Sequence, residues 1–550
     1  MRLTPAARAL GVAAALSPFL VHPAVAQSDT WALTNARIQT VTRGVIDKGT
    51  VIIRKGLIEA VGPSVPVPPD ARVLDLMGKT ISPGLLDLTS SLGLAAPASG
   101  GGGGGGGSPA TAPTQGGPRP GLDPEREVAR ELKVTPGDIK PIRDLGITAV
   151  LVAPSRGLFR GASALVPLRD SVTAADIIRA PVAMHVGYQG VPGDYPGTLL
   201  GVITYQRQAF YDAQRQALLL DRYKANPRGM ARPENDASLD ALVPVVRGQL
   251  PLFIEANNEN EIRRAIRLAR EFNLKPTIVG ATEGFEALDA LNGSSAIVSV
   301  NFPQPAQTTR WSYRLSQRRP LGDSAASARE AQKLIEGNAA TLQKSGIKFA
   351  LASGGSRDFV PNVRKAIAAG LPANVALEAV TIRAAELAGA GEMLGSIEAG
   401  KIANLVISNG DILSDSAKVS GVFVDGIRYE VTPPPAARAG GGNGGATVPP
   451  AQVGGTWAMN MTSPQGPMDI TMTVTQSGSA FSGTMTSMMG TNDISEGQIA
   501  GRTVTWSMTL QFGGQSITLN YRGEVDGNKM TGTAELGSFG SATFTAERKP

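Results

Sequence analysis

The amino-acid sequence predicts an α/β fold in which a barrel of parallel strands is flanked by a smaller β-structure and followed by an all-β domain. Three observations support this prediction. Apolar runs of strand length alternate with helical patterns between residues 141 and 388, which favours a parallel sheet with crossover helices. Strand patterns also occur before and after this region. Beyond residue 455 polar and apolar residues alternate, as expected of antiparallel strands with one buried face.

The N-terminus has the pattern of a secretory signal peptide. Arg2 and Arg8 precede an apolar run from Ala9 to Leu20, and the small residues Ala24-Val25-Ala26 follow. We therefore expect residues 1–26 to be a signal peptide cleaved near Ala26, and the mature protein to be exported, periplasmic or extracellular. The apolar run is too short to span a bilayer and no later run is longer, so we expect no transmembrane segment.

Short strands are predicted next, at Trp31–Ile38, Val51–Val61 and Arg72–Asp75, separated by Gly and Pro turns. Matching strand patterns return far downstream, at Gly395–Ile407 and Val419–Glu430. The first of these downstream segments resembles the Gly-x-Ile-Glu-x-Gly-Lys-x-Ala-Asp-Leu-Val signature of the amidohydrolase superfamily. The resemblance implies a composite β-sandwich built from residues 27–80 and 396–432 beside the barrel.

The stretch Gly78–Leu94 contains an apolar run after a Pro-Gly turn and ends in small polar residues, which is typical of a first barrel strand. It resembles the exported imidazolonepropionase-like amidohydrolases, whose segment reads Pro-Gly-(Leu/Phe)-(Ile/Leu)-Asp-x-His-x-His. Thr89 and Ser91 stand where those relatives have the two histidines. The resemblance implies a TIM (β/α)8-like barrel over residues 81–395.

Two Gly-rich tracts interrupt this plan. Residues 95–125 include an unbroken glycine run from Gly100 to Gly107, and such a composition predicts a disordered insertion rather than a phosphate-binding loop. Residues 433–452 are again rich in Gly, Ala and Pro and are predicted to be a linker. Residues 453–550 then form the predicted antiparallel β domain.

The predicted barrel continues with buried strands that are each followed by a helical pattern or a loop. These strands are Ile147–Val152, Ala180–Val186, Pro251–Ala256, Lys275–Gly280, Ala296–Asn301 and Lys348–Ser353. In the C-terminal domain the alternation is clearest in Val504–Phe512, and about eight such segments predict a small up-and-down barrel or sandwich. The methionines of this domain alternate with threonines, which favours a role as core filler over metal binding.

Charge and cysteine content exclude several function classes. The formal net charge is +6 over 550 residues, and basic residues are interspersed with acids, so we expect solvated faces and no nucleic-acid partner. The chain has no cysteine, so it has neither disulfides nor a cysteine nucleophile.

The resemblance also implies where a metal site should lie. Relatives hold one or two divalent metals, usually zinc, with histidines after strands one, five and six and an aspartate after strand eight. This chain has two histidines, His22 in the predicted signal peptide and His185. The corresponding positions carry Thr89 and Ser91 after strand one, Glu255 after strand five, Gly280 after strand six, and Gly354 or Ser356 after strand eight. The zinc ligands are therefore absent, and we predict no cofactor.

Other residues leave alternatives open. His185 lies at a strand end, where a lone histidine is more often packed and hydrogen-bonded than ligating. The carboxylates of Asp87, Glu255, Glu283 and Asp358 could meet at the barrel mouth and hold Mg²⁺, Mn²⁺ or Ca²⁺. Glu255 and Asp358 could also act as an acid and base couple. Asp87 is more simply explained as a turn-stabilising residue.

We therefore favour an exported, amidohydrolase-related, metal-free pseudoenzyme that binds an unknown small molecule at the barrel mouth or partners an active relative. The candidate binding residues are Thr89, Ser91, His185, Glu255, Gly280, Glu283 and Ser356. One alternative is an active hydrolase of carbon-nitrogen bonds, other than peptide bonds, with a rebuilt carboxylate metal site. Another is an envelope scaffold docked by the C-terminal β domain.

Overall fold

The protein is described from a computed structural model. The structure describes residues 29–94, 121–189, 196–302, 324–356, 358–431, 451–463, 466–487, 490–512, 515–535 and 541–549. The predicted signal peptide, residues 95–120 of the predicted insertion and residues 433–450 of the predicted linker lie outside the described residues. The chain divides into two compact units, Met1–Pro435 and Ala436–Pro550.

The first unit contains strands from both ends of its sequence and a helical middle part. Its strands are β1 (Thr30–Gln39), β2 (Val45–Arg54), β3 (Leu57–Gly62), β4 (Arg72–Asp75), β5 (Thr80–Pro83), β6 (Leu85–Ser90), β7 (Ile147–Val152), β8 (Phe159–Ala162), β9 (Ala164–Pro167), β10 (Met184–Val186), β11 (Leu252–Ala256), β12 (Pro276–Gly280), β13 (Ser295–Ser299), β14 (Lys348–Ala352), β15 (Leu405–Ser408), β16 (Val419–Val424) and β17 (Ile427–Glu430). Its helices are α1 (Val128–Glu131), α2 (Pro136–Arg143), α3 (Leu199–Ala225), α4 (Ala237–Val246), α5 (Glu259–Glu271), α6 (Leu288–Leu291), α7 (Ser324–Glu336), α8 (Asn338–Lys344), α9 (Phe359–Ala368), α10 (Ala373–Ala379) and α11 (Ile382–Leu387).

The two ends of the first unit meet in one eight-stranded sheet with the order β17-β16-β15-β5-β1-β2-β3, in which β4 pairs with β1. Strands β5 and β15 are antiparallel neighbours, so the upstream and downstream segments are joined directly. An isolated bridge between Leu57 and Ile402 connects the far end of the sheet to the segment before β15. The sheet therefore curls over one apolar core, which includes Leu33, Ile53 and Phe423.

The predicted single strand Val51–Val61 is wrong, because the chain turns back between β2 and β3. Lys55 and Gly56 have positive φ values of 50° and 80°, which matches a tight hairpin turn. A side chain at Gly56 would lie 2.9 Å from the carbonyl oxygen of Asp425. The turn therefore requires glycine for its close approach to the β16–β17 turn as well as for its backbone conformation.

The middle part of the first unit consists of a six-stranded sheet, β14-β13-β12-β11-β10-β8, and a three-stranded sheet, β6-β7-β9. Strands β10 to β14 are parallel, as predicted. Strand β9 is antiparallel to β7, and β8 is antiparallel to β10, which corrects the prediction of an all-parallel barrel. For β7 and β9 the reason is chain length, because the eleven residues between them are fewer than the dozen or more that a parallel crossover needs.

Hydrogen bonds join the two middle sheets at both edges. Ser353 after β14 donates its backbone N–H to Asp87 of β6, and the amide of Ser163 donates to the carbonyl oxygen of Ala183 at 3.0 Å. Side chains from both sheets pack in a single core cluster that contains Leu86, Leu151 and Phe253. The alternate residues of the same strands pack against the surrounding helices in a larger cluster.

Helix α5 illustrates how the sequence pattern forms these layers. Ile262, Ala265, Ile266 and Ala269 lie on one helical face and are all buried, as predicted. The Asn258 side chain accepts a hydrogen bond from the amide of Glu261 and so caps the first turn. Within the described residues no helix is both long and apolar enough to cross a membrane.

The second unit is a closed barrel of eight strands in sequence order. They are β18 (Gly455–Ser463), β19 (Gly466–Ser477), β20 (Ala480–Ser487), β21 (Gly490–Ala500), β22 (Thr503–Phe512), β23 (Gln515–Asp526), β24 (Lys529–Glu535) and β25 (Ser541–Arg548). The prediction of an antiparallel up-and-down arrangement is confirmed. Met472, Met508 and Met530 are buried in its core with Trp457, so the prediction that methionines fill this core is also confirmed.

Two predicted boundaries shift by a few residues. Leu122, inside the predicted insertion, is buried and forms a bridge with Phe159. Ala451, inside the predicted linker, donates its amide to Gly501 of the C-terminal barrel. Leu122 therefore belongs to the first unit and Ala451 to the C-terminal barrel.

Candidate functional site

The predicted metal positions lie where strands β6, β11, β12 and β14 end, and we call this the strand-end face. Asp87 is buried at the end of β6. Its carboxylate accepts hydrogen bonds from the amide and hydroxyl of Ser353, at 2.8 and 2.6 Å, and from the amide and hydroxyl of Thr89, both at 3.2 Å. The Thr89 hydroxyl accepts a bond from the Gly354 amide at 2.8 Å. These contacts tie β6 to β14, so the stabilising role expected for Asp87 is confirmed.

Gly280 stands at the histidine position after β12, and the polar group next to it is the side chain of Asn257. The φ of Gly280 is 96°, and a Cβ atom there would lie 2.1 Å from Oδ1 of Asn257. The same Asn257 oxygen accepts a hydrogen bond from the Thr282 hydroxyl at 3.2 Å. The space that a larger side chain would need at position 280 is therefore occupied by Asn257.

Gly354, one of two residues at the position of the family aspartate, is enclosed in the same way. Its φ is 61°, and a Cβ atom there would lie 1.9 Å from Oγ of Ser299. The other residue, Ser356, accepts a hydrogen bond from the Asp358 amide at 3.1 Å, just before α9 begins. Both positions are thus used for local backbone structure.

The remaining predicted acids have separate partners. Glu283 is buried and accepts a hydrogen bond from the Glu259 amide at 2.7 Å, at the start of α5. A carboxylate at this helix end is favoured by the helix dipole. Asp358 and Ser91 are exposed. The predicted convergence of Glu255, Glu283 and Asp358 is absent from the described part of the chain, where no three such ligand residues are close enough to hold a metal.

Glu255 forms an ion pair with Arg160 of β8. The Arg160 side chain is only 4% exposed, whereas that of Glu255 is 38% exposed. The Arg160 Nε also donates to the carbonyl oxygen of Gly157 at 3.1 Å. Sequence reasoning missed Arg160, because β8 was not recognised as a strand; an arginine inside the apolar run 158–168 was the available signal.

His185 lies beside this ion pair on β10. It is buried, and its ring packs edge-on against Phe253 with centroids 5.4 Å apart. Burial, with a smaller contribution from the Arg160 charge, lowers the His185 pKa to about 3. The imidazole is therefore neutral at neutral pH. Of the prediction that His185 is packed and hydrogen-bonded, the packing is confirmed. Its Nε2 is buried and has no hydrogen-bond partner among the described residues.

Three further buried polar atoms near His185 also lack a partner within the described ranges. They are Nη2 of Arg160, the hydroxyl of Tyr188 and Oε1 of Gln206. The Gln206 Nε2 donates to the carbonyl oxygen of Gly187 at 2.7 Å, and a Cβ atom on Gly187 would lie 2.1 Å from Nη2 of Arg160. Gly187 therefore lies next to both Arg160 and Gln206. Burial also raises the pKa of the Tyr188 hydroxyl above its usual range.

The donor set at the strand-end face does not fit the zinc of the family. Zinc needs three or four imidazole, thiolate or carboxylate ligands around one point. Here Thr89 and Gly280 replace ligands, Asp87 has its oxygens occupied by hydrogen bonds, and Glu255 neutralises Arg160. The arrangement can bind polar groups but offers no set of metal ligands within the described residues.

Comparison with known proteins agrees with this architecture. Residues 309–428 match the amidohydrolase family. An amidohydrolase from Thermotoga maritima MSB8 is similar in structure, with a TM-score of 0.59 and 23% sequence identity over 72% of this chain and 99% of that chain. A Xaa-Pro dipeptidase with bound methionine covers 73% of this chain and 100% of its own at 18% identity, but its TM-score of 0.45 is too low to carry an argument. No curated protein matches the chain.

The match to the amidohydrolase family covers 120 of the 550 residues, and the amidohydrolase from Thermotoga maritima MSB8 has a similar fold. Because the sequence identity is low, the structural similarity describes the fold only. The activity has to be inferred from the residues of the strand-end face.

Proposed function

We propose that this chain is an exported protein that uses an amidohydrolase-type TIM barrel, without a bound metal, to bind a small polar molecule at the strand-end face. The main support for the proposal is the Arg160–Glu255 pair, in which the guanidinium is buried and its Nη2 has no hydrogen-bond partner among the described residues. Burying a guanidinium costs several kcal/mol unless its donors are satisfied. A bound molecule that accepts a hydrogen bond from Nη2 of Arg160 removes part of that cost.

The surrounding groups indicate the kind of ligand. Arg160 is neutralised by Glu255, and His185 is neutral because its pKa is about 3. The site therefore has little net charge for a ligand to balance. The buried atoms that lack a partner among the described residues include one donor, Nη2 of Arg160, and one acceptor, Oε1 of Gln206. This combination suits an uncharged molecule with adjacent acceptor and donor groups, such as a carboxamide or a polyol.

The same residues argue for binding over hydrolysis. A histidine with a pKa of about 3 is a poor general base at neutral pH. Glu255 is held by Arg160, and Asp87 is held by Ser353 and Thr89. In this proposal the residues of the strand-end face bind and orient the ligand without activating water.

Metal analysis tests the metal-free part of the proposal. The purified protein is exposed to Zn²⁺, Mn²⁺ and Mg²⁺, dialysed and analysed for metal beside the variant Glu255→Gln. We expect substoichiometric metal in both. Stoichiometric metal in the wild type that the variant loses would overturn the proposal and restore the hydrolase with a rebuilt carboxylate site.

Ligand-observed NMR tests the binding part, with N-acetylglycinamide as the probe for an uncharged carboxamide. We expect saturation transfer to the probe from the wild type, and a reduced signal from the double variant Arg160→Met, Glu255→Gln. That double variant removes both charges together, so no unpaired buried charge remains. An undiminished signal from the double variant would show that the probe does not use this pair.

Export remains part of the proposal and rests on the N-terminal pattern alone. N-terminal sequencing of protein recovered from outside the cytoplasm should begin near Gln27. The two other predicted roles, partner of an active relative and envelope scaffold docked by residues 453–550, have no contact in the described residues that favours them. Retained localisation after deletion of residues 451–550 would count against the scaffold.

A further inference from the structure

A second candidate site lies in the curled sheet of the first unit, away from the strand-end face. It is an open groove with a volume of about 800 Å³. We call it the Trp31 groove and define it by its lining residues, which are Asp29, Trp31, Lys55, Gly56, Leu57, Arg72, Arg169, Ala175, Asp176, Ile402, Asp425, Gly426, Ile427 and Arg428. A volume of this size can accommodate a small organic molecule.

Trp31 positions two arginines in this groove. The guanidinium carbons of Arg72 and Arg428 lie 5.5 and 5.6 Å from the centre of the Trp31 ring, so they are at most about 11 Å apart. The ring itself packs edge-on against Phe423 at 5.7 Å. Contact with an aromatic face holds a guanidinium in place while leaving its N–H groups available. The two arginines are thus partly pre-organised for a ligand.

The charges near Trp31 are poorly balanced by the protein. Arg72 and Lys55 form no ion pair with any described residue. Arg428 pairs with Glu430 at 3.1 Å, but that glutamate is 74% exposed, and such exposed pairs contribute little. The Arg428 Nε is buried and has no partner within the described ranges. These features point to an anionic ligand.

Two acidic residues that line the groove contact Arg169. Asp176 binds Arg169 at 2.8 Å, and Asp425 lies 3.6 Å from the same guanidinium. Burial raises the Asp425 pKa, so its negative charge is less persistent than that of an exposed aspartate. Asp29 is exposed at the rim. The positive character is therefore concentrated around Trp31.

The groove also has an apolar rim. Leu57 and Ile427 line the groove and are 45% and 43% exposed. Exposed apolar residues beside charged ones are typical of ligand-binding surfaces. We propose that the Trp31 groove binds a small molecule that carries an oxyanion, either a carboxylate or a phosphate, on an apolar body.

Calorimetric titration of the purified protein at low ionic strength tests this proposal, with phenylacetate and phenyl phosphate as separate probes. We expect saturable binding of one or both, and the preferred probe identifies the oxyanion. The variant Arg72→Gln should bind about tenfold more weakly, since a charge-assisted hydrogen bond contributes about 1.5 kcal/mol or more. Arg72→Lys should fall between Arg72→Gln and the wild type, because it keeps the charge but not the planar fork.

Arg43→Gln is the matched control for net charge. The Arg43 side chain is 72% exposed and does not line the groove, so affinity should stay within about twofold of the wild type. Glu255→Gln separates this site from the strand-end face and should leave probe binding unchanged. Absence of saturable binding, equal affinity in Arg72→Gln, or loss of binding in Glu255→Gln would each overturn the proposal. Only the last outcome would also show that the probe occupies the strand-end face.

Discussion

The strand-end face and the Trp31 groove belong to the same compact unit but differ in how their polar groups are satisfied. At the strand-end face, Asp87 has four protein donors and Glu255 has a buried arginine as its partner. In the groove, Arg72 and Lys55 are exposed and have no ion-pair partner within the described residues. The polar groups of the strand-end face are thus paired within the protein, whereas the groove carries basic side chains without an ion-pair partner among the described residues.

If the positions that correspond to the family's metal ligands are structural, adding a side chain at one of them should destabilise the protein strongly. Gly280→Ala places a Cβ atom 2.1 Å from Oδ1 of Asn257 at a φ of 96°. We expect a loss of about 3 kcal/mol in the free energy of unfolding, from backbone strain and overpacking together. Urea denaturation followed by circular dichroism measures this loss.

Gly293→Ala is the matched control for that substitution. Gly293 also has a positive φ, 80°, but nothing lies within 4 Å of its ideal Cβ position. It should lose only about 1 kcal/mol, which is the cost of the backbone conformation. Equal losses in the two variants would mean that the contact with Asn257 is unimportant.

The buried His185 should make stability depend on pH at the strand-end face. Its pKa is about 3 in the folded protein, below its ordinary value of 6.5. The unfolded chain therefore takes up the proton first, so stability is complete above about pH 6.5 and decreases as the pH falls toward 3. Between pH 6 and 4 we expect a loss of about 2.5 kcal/mol.

The variant His185→Phe separates this loss from carboxylate titration, because it removes the imidazole and preserves ring packing against Phe253. The difference in unfolding free energy between wild type and variant should change by the stated amount from pH 6 to pH 4. A difference that stays constant with pH would mean that His185 is accessible to protons in the folded protein.

Breaking the Arg160–Glu255 ion pair should lower the free energy of unfolding by a somewhat smaller amount. Glu255→Gln leaves the Arg160 guanidinium, whose side chain is 4% exposed, without its counter-charge. We expect a loss of about 2 kcal/mol, below the usual range for a buried pair because Glu255 is partly exposed. The double variant Arg160→Met, Glu255→Gln should recover most of this loss in urea denaturation. If the double variant is no more stable than Glu255→Gln, charge is not the cause.

The smallest expected effect is at the contact between β6 and β14. Ser353→Ala removes the hydroxyl that donates to Asp87 at 2.6 Å, while the Ser353 amide still donates at 2.8 Å. We expect a loss of about 1 kcal/mol. Ser414→Ala, which removes an exposed hydroxyl bonded to a local carbonyl oxygen, should lose less. The reverse order would show that the Asp87 network is not important for stability.

Some elements of the fold could be predicted from the sequence and others could not. Helix α5 and the parallel strands β11 to β14 follow apolar periods that can be read locally, because each residue's face depends on its neighbours in sequence. The residues Thr89 and Gly280, at the positions where the resemblance implies histidines, could also be identified from the sequence. Strand β8 was not predicted, because its antiparallel pairing with β10 depends on tertiary structure. Arg160 lies on β8, so the ion-pair partner of Glu255 was not predicted either.

The sequence alone therefore determined the α/β and all-β parts and the antiparallel C-terminal barrel, because these depend on residue type and local period. The tertiary structure decided which polar groups meet. It placed Asn257 against Gly280, Arg160 against Glu255, and two arginines on Trp31. Such contacts join residues far apart in sequence, and their charge and hydrogen-bond balance exists only once the sheets have formed.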